Sequence, residues 1–275
     1  MNFIELLKAV LFGIVEGITE WLPVSSTGHL ILLEKFLPLQ ISEAFYEMFQ
    51  VVIQLGAILA VVLLFFQKLN PFCPKKDSVA KKNTWLLWAK VIVAVLPSAV
   101  LGLAFDDWMD AHFYNYIVVS VALIFYGIAF LFVEKARKNT PMDNVDAINW
   151  KTALLIGCFQ CLSLIPGTSR SGSTILGALL LGVSRSAGAE FSFFLAIPTM
   201  LGASALKLLK FMMDGVTATS TEWGVLAVGC VVSFLVSLLV IRGLMEYVRK
   251  RSFAPFGIYR IALGILVLGY FGIFG

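Results

Sequence analysis

The stretches VSSTGH at 24–29 and IPGTSRSGST at 165–174 decide how this chain folds, because each interrupts an otherwise apolar segment, 10–36 and 152–183, near its middle. Both segments have the length to cross a bilayer. A straight span would place a cluster of hydroxyls, glycine and proline in hydrocarbon. Non-helical backbone survives at membrane depth only where protein or water covers it, so a hairpin that enters and returns fits each segment better. Six further segments, 45–66, 86–105, 114–133, 190–213, 224–241 and 255–274, are apolar and long enough to span. The expected fold is an all-α polytopic membrane protein with six transmembrane helices plus two re-entrant helical hairpins in an inverted-repeat arrangement, forming a single membrane domain over residues 1–275.

Composition excludes the other classes. Of the 275 residues, 59% are hydrophobic and 14% charged, and the mean hydropathy is +0.90. A water-soluble chain carries roughly a quarter of charged residues, and the apolar segments lack the period-2 alternation of a membrane barrel. The net charge of +4, from 21 basic and 17 acidic residues, is too balanced to argue for a nucleic-acid partner. Cys73, Cys158, Cys161 and Cys230 have neither histidine near them in sequence, so they read as ordinary buried thiols rather than a zinc site. Lys8 and the apolar run after it mimic a signal peptide. Glu16 and Glu20 interrupt that run and no small-residue cleavage site follows, so the segment is expected in the mature protein.

The charges that do occur set the orientation. Lys68, Lys75, Lys76, Lys81 and Lys82 lie in 67–84, Lys135, Arg137, Lys138 and Lys151 in 134–151, and Arg242, Arg249, Lys250 and Arg251 in 242–252. All three loops belong in the cytoplasm by the positive-inside rule. The loops between them hold Asp106, Asp107 and Asp110, and Asp214 and Glu222, and face outward. This pattern closes only if the first broken segment re-enters from outside and the second from inside, which puts both termini outside. Eight full spans would set one group of basic loops on the wrong side. Trp21, Trp85, Trp88, Trp108, Trp150 and Trp223 fall mostly near the expected interfaces.

An internal repeat points the same way. From Gly13 and Gly157, GIVEGITEWLPVSS and GCFQCLSLIPGTS align with one deletion, pairing Glu16 with Gln160, Thr19 with Ser163, Pro23 with Pro166 and Ser26 with Ser169. Leu-Gly-Ala recurs at 55–57 and 201–203. Pseudo-repeats spanning approximately 1–133 and 150–275 in opposite orientation would bring the two broken helices together at the bilayer midplane, where such folds build their sites.

The polar residues carried there suggest a chemistry. Glu16 and Glu20, four apart, share one helix face. Ser25, Ser26, Thr27 and His29 follow, and the second cluster supplies Gly167, Thr168, Ser169, Arg170, Ser171 and Thr174. Each ionisable group at membrane depth costs about 2.5–3.5 kcal/mol. Glu16, Glu20, His29 and Arg170 together would cost on the order of 10 kcal/mol if unpaired, so they meet one another or a ligand. Arg170 among hydroxyls and glycines at a helix start forms a phosphate or pyrophosphate cradle. A carboxylate pair beside it would repel that anion unless a divalent cation intervenes, and Mg²⁺, before Ca²⁺, suits Glu16 and Glu20 as ligands. Ser26 is then the candidate nucleophile, and His29 or Glu20 the acid or base. Against this, a single hydroxyl on a membrane helix more often bonds back to its own helix, and a lone histidine serves equally as a structural bond. Gln54, Lys90, Glu47, Glu190 and Arg260 read mainly as partners or interface anchors, Gln54 and Glu190 being the exceptions to watch, and His112 as solvated.

At these residues the chain resembles the bacterial undecaprenyl-diphosphate phosphatases, also called the bacitracin-resistance protein family. The resemblance covers nearly the whole chain and rests on EGITEWLPVSSTGH at 16–29, the segment around Gln50–Gly56, PGTSRSGST at 166–174 and AEFSFFLAIP at 189–198. It implies a bacterial inner-membrane enzyme that removes the terminal phosphate from a C55 isoprenoid diphosphate, regenerating the monophosphate carrier of cell-wall synthesis. It further implies dependence on a divalent cation and a pocket opening toward the outer, periplasmic side. Glu20, Ser26, His29 and Arg170 sit where that family's proposed catalytic residues fall. Lipid is the expected surrounding, and a homodimer is compatible with it. Type 2 phosphatidic-acid phosphatases also carry Ser-Gly-His and Ser-Arg elements but need a histidine six residues after the arginine, where this chain has Leu176. A transporter or flippase for a phosphorylated lipid or small anion is the competing class, because inverted repeats with re-entrant hairpins are common in transporters.

Overall fold

A computed structural model describes residues 2–113, 115–136 and 141–274. The helices are α1 Phe3–Thr19, α2 Ser26–Phe36, α3 Glu43–Val52, α4 Gln54–Leu64, α5 Phe66–Leu69, α6 Ser78–Phe113, α7 Tyr116–Ala136, α8 Trp150–Gln160, α9 Arg170–Leu180, α10 Arg185–Met213, α11 Ser220–Lys250 and α12 Ala254–Phe274. Among the described residues there is no strand, only an isolated bridge between Met142 and Val183. Six helical segments are long and apolar enough to cross a membrane, which makes the chain a multi-pass membrane protein.

The helices run past the limits that hydropathy suggests, because a helix continues until its backbone is capped, not until its side chains turn polar. With 36 residues, α6 is about 54 Å long against a hydrocarbon core of about 30 Å. Asp106, Asp107 and Asp110, expected in a loop, therefore belong to α6, and Arg242, Arg249 and Lys250 to α11. The span expected at 45–66 is divided at Ile53 into α3 and α4. Arg137 and Lys138 lie outside the described residues. The cysteines are less enclosed than expected, with Cys158 exposed and the other three partly so.

Polar contacts mark two ends of the bundle. At one end Lys68 pairs with Glu190 at 2.6 Å, Lys90 donates to the Asp146 carbonyl, and Arg185 pairs with Glu134, which also accepts from Phe253 N. At the other, Ser42 donates to Glu222 and Asn2 N to Thr221. Both ends of the α1–α2 pair lie at this second end, since Phe36 packs on Tyr270 near the close of α12. The α8–α9 pair returns to the first end, where Val183 bridges Met142.

The first half of the chain leans on the second. α1 lies along α11, α8 along α6, and α7 along α12, with α4 and α10 between them. Without a hydrophobic drive between helices in lipid, such contacts depend on small residues that admit close backbone approach. A Cβ on Gly157 would lie 2.0 Å from the Ala94 carbonyl oxygen, and one on Gly56 2.0 Å from that of Cys230. Large apolar side chains such as Leu103, Phe132 and Leu239 point outward, toward lipid, while Glu16, Glu20 and Arg260 are buried. Gly157→Ala should destabilise the protein by about 1–3 kcal/mol or more through overpacking, lowering its thermal unfolding temperature in detergent. Gly202→Ala, inside α10 with nothing within 4 Å of the added Cβ, should not lower that temperature and should raise it slightly, since alanine is the better helix former.

Candidate active site

Two equivalent turns build the site. Helices α2 and α9 each start from a serine cap in the left-handed region, Ser25 at φ 72° and Ser169 at φ 71°, the only non-glycine residues at positive φ among those described. Ser25 Oγ accepts from Gly28 N and Ser169 Oγ from Gly172 N, so each strained cap satisfies an orphan amide of the first turn. These caps correct the repeat alignment. Ser169 corresponds to Ser25, not Ser26, with the register running from Gly13 and Gly157 without a deletion.

The turns meet tip to tip. Arg170, first in α9, extends Nη2 to Glu20 Oε1 at 3.0 Å, and Glu20 Oε2 accepts from Ser26 Oγ at 2.9 Å. Glu20, Ser26 and Arg170, 144–150 residues apart across the tips in sequence, thus form one hydrogen-bonded unit. Arg170 Nη1 donates to the carbonyl and hydroxyl of Ser192 on α10, at 2.8 and 3.3 Å, and its guanidinium lies over the Trp21 ring. Its Nε has no hydrogen-bond partner among the described residues. The arginine side chain is 9% exposed, and its Nε is buried.

The remaining expected residues divide by what they touch. Ser171 Oγ donates to the carbonyls of Glu20 and Leu22, and Thr174 Oγ1 donates to the Arg170 carbonyl while bonding Ser192 Oγ at 2.6 Å. Ser171 thus ties one tip to the other, while Thr174 ties α9 to α10. Ser25 and Ser169 cap helices, and Thr27 sits half-buried in the first turn of α2. Gly167 runs at φ +89° with Val119 backbone 2.5 Å from where a Cβ would be, so only glycine fits. His29 engages the Ser25 carbonyl and the Tyr259 hydroxyl, each at 2.7 Å, rather than Ser26.

Glu16 is different. It is fully buried, and neither carboxylate oxygen has a hydrogen-bond partner. A bare carboxylate in such a place requires a proton or a cation. Its donor chemistry, with Glu20 one turn away, fits a hard divalent ion completed by substrate oxygens. No group of three or more His, Cys, Asp or Glu side chains able to hold a metal occurs among the described residues.

Sequence reasoning undervalued three residues. Arg260 on α12 is fully buried and donates to the carbonyls of Pro23, Gly167 and Thr168 at 2.9–3.0 Å, clasping both tips. Ser192 receives Arg170, and Trp21, expected at an interface, is buried beneath it. An isolated hydroxyl at 192 and the Tyr259–Arg260 pair within apolar spans were the available signals.

Fold and site together define a multi-pass helical membrane protein with a buried arginine–carboxylate cluster where two broken helices touch. The chain belongs to the bacitracin resistance protein BacA family, whose model matches residues 9–266. A protein of Enterococcus faecalis named undecaprenyl-diphosphatase is 57% identical over 272 residues, covering 98% of this chain and 99% of that relative. One of Lactiplantibacillus plantarum with the same name is 57% identical over 270 residues, covering 98% of each. A Clostridioides difficile protein named undecaprenyl-diphosphatase 1 is also 57% identical, covering 98% of this chain and 97% of its own.

Replacing Arg260 by Met should leave three tip carbonyls unpaired, at about 1–3 kcal/mol each. Limited proteolysis in detergent is expected to cut the variant at the tips 20–25 or 161–169 faster than the parent.

Proposed function

We propose that this chain hydrolyses undecaprenyl diphosphate to the monophosphate and inorganic phosphate, recycling the lipid carrier of cell-wall synthesis and so conferring bacitracin resistance. The observation that carries the reading is the Ser26–Glu20–Arg170 unit, a hydroxyl, a carboxylate and a guanidinium joined by bonds of 2.9 and 3.0 Å at the tips. Relatives of the same length and family bear the name of that activity.

The residues divide the work. Glu20 holds Ser26 Oγ through its proton and can take that proton as the hydroxyl, or a water it positions, attacks the terminal phosphorus. Glu20 is favoured over His29 as this base because it already touches Ser26. Arg170, kept in place by Ser192 and Trp21, turns its unpartnered Nε toward a phosphate oxygen and offsets charge that builds in the transition state. Glu16 and Glu20 would hold the divalent cation, Mg²⁺ or Ca²⁺, which supplies further neutralisation of phosphate oxygens. The hydroxyls and glycines of both caps form the walls of the cradle.

The basic end is placed in the cytoplasm of a bacterial plasma membrane, and the α1–α2 and α8–α9 pairs are read as re-entrant from opposite faces, with the site opening outward. Pseudo-repeats at about 1–133 and 150–275 are consistent with helices of the same order recurring in both halves. A homodimer remains part of the proposal.

Purified protein in detergent should release phosphate from undecaprenyl diphosphate, stop with EDTA and recover with Mg²⁺. A flippase without hydrolysis would release none. Arg170→Ala should lower kcat by about 10²–10³-fold with the fold intact, and wild-type turnover in that variant would refute the assignment. Glu16→Gln should raise the cation concentration needed for half-maximal rate.

A further inference from the structure

The His29 ring is held at both nitrogens. Nδ1 lies 2.7 Å from the Ser25 carbonyl oxygen and Nε2 2.7 Å from the Tyr259 hydroxyl, with the two rings parallel within 3°. A carbonyl only accepts, so Nδ1 carries the hydrogen. In the neutral imidazole Nε2 is then the bare nitrogen, and the phenol must donate to it. The one nitrogen able to take a proton is the one that Tyr259 aims.

Both holding groups are themselves fixed. The Ser25 carbonyl is set by the strained cap at φ 72°, and Tyr259 precedes Arg260, whose guanidinium is bound by three carbonyls of the two tips. One α12 turn thus anchors the tips with one side chain and reaches His29 with the next. Tyr259 is 47% exposed, so its phenol is not in packed core. His29 follows Ser26 by three residues on α2 and shares its side of the helix.

We propose that Tyr259 is a positioning residue for His29: the Ser25 carbonyl already sets the Nδ1–H form, and the phenol, donating to Nε2, fixes the direction of the ring in the site. This rests on the phosphatase reading, and its test has an arm that does not.

The chain has two histidines, so ¹⁵N-histidine-labelled full-length protein in detergent gives two imidazoles to assign, with His29→Gln identifying the one of interest. The parent should show His29 with protonated Nδ1 and bare Nε2. Tyr259→Phe should leave Nδ1 protonated, since the Ser25 carbonyl still binds it, and should shift the Nε2 signal as its hydrogen bond is lost, while His112, whose Nδ1 sits 2.8 Å from the Trp108 carbonyl, keeps its signals and reports an intact fold. Unchanged His29 signals in Tyr259→Phe would overturn the proposal. In turnover, Tyr259→Phe should lower kcat roughly tenfold or more with KM changed by less than about twofold, and should add no loss to His29→Gln. An equal loss in the His29→Gln background would overturn the positioning role. If the parent itself releases no phosphate while its Nε2 signal still depends on Tyr259, the phosphatase reading fails and the positioning contact stands.

Discussion

The ion pair between Glu20 and Arg170 is the interaction on which the centre of this molecule depends. Each charge alone would be costly at membrane depth, and breaking a buried pair by removing one partner typically costs about 3–5 kcal/mol. The pair therefore holds the α1–α2 turn against the α8–α9 turn, elements that belong to opposite ends of the bundle. The same bonds place Ser26 beside a carboxylate and leave one guanidinium N–H unused. Stability and reactivity draw on the same few atoms.

Around that pair, the backbone does much of the holding. Arg260 binds three carbonyls that no regular helix could satisfy, and Ser171 binds two more. Broken helices leave orphan carbonyls and amides, and in lipid no water relieves them. The buried arginine and the hydroxyls replace that water. Ser25 and Ser169, at positive φ, each still cap a helix through the side chain. Glu16 stands apart from this pattern, with neither carboxylate oxygen hydrogen-bonded among the described residues.

Much of the helical framework was legible in the residue order because lipid imposes a length and a polarity on every span. All six apolar segments are helices long enough to cross. Glu20, Ser26 and Arg170 were legible as a group because ionisable residues are rare at that depth. Helix ends were not, since a helix such as α6 projects beyond the apolar zone and carries its polar residues with it. Trp21 was misplaced because an aromatic next to a polar cluster suggests an interface equally well as a buried support.

What the sequence by itself determined is the solvent of this protein, its helical spans, its charged ends and the small set of polar residues that could not be left in hydrocarbon. Those follow from composition and local spacing, which act within one segment. Only the tertiary structure decided the partners: that Glu20 rather than His29 touches Ser26, that Arg260 clasps both tips, and that Tyr259 meets His29 from 230 residues away. Such contacts depend on which helices lie side by side, and that is set by close packing at Gly56 and Gly157 and by the pairing of buried charge. No single segment carries that information, because each group finds its partner on another one.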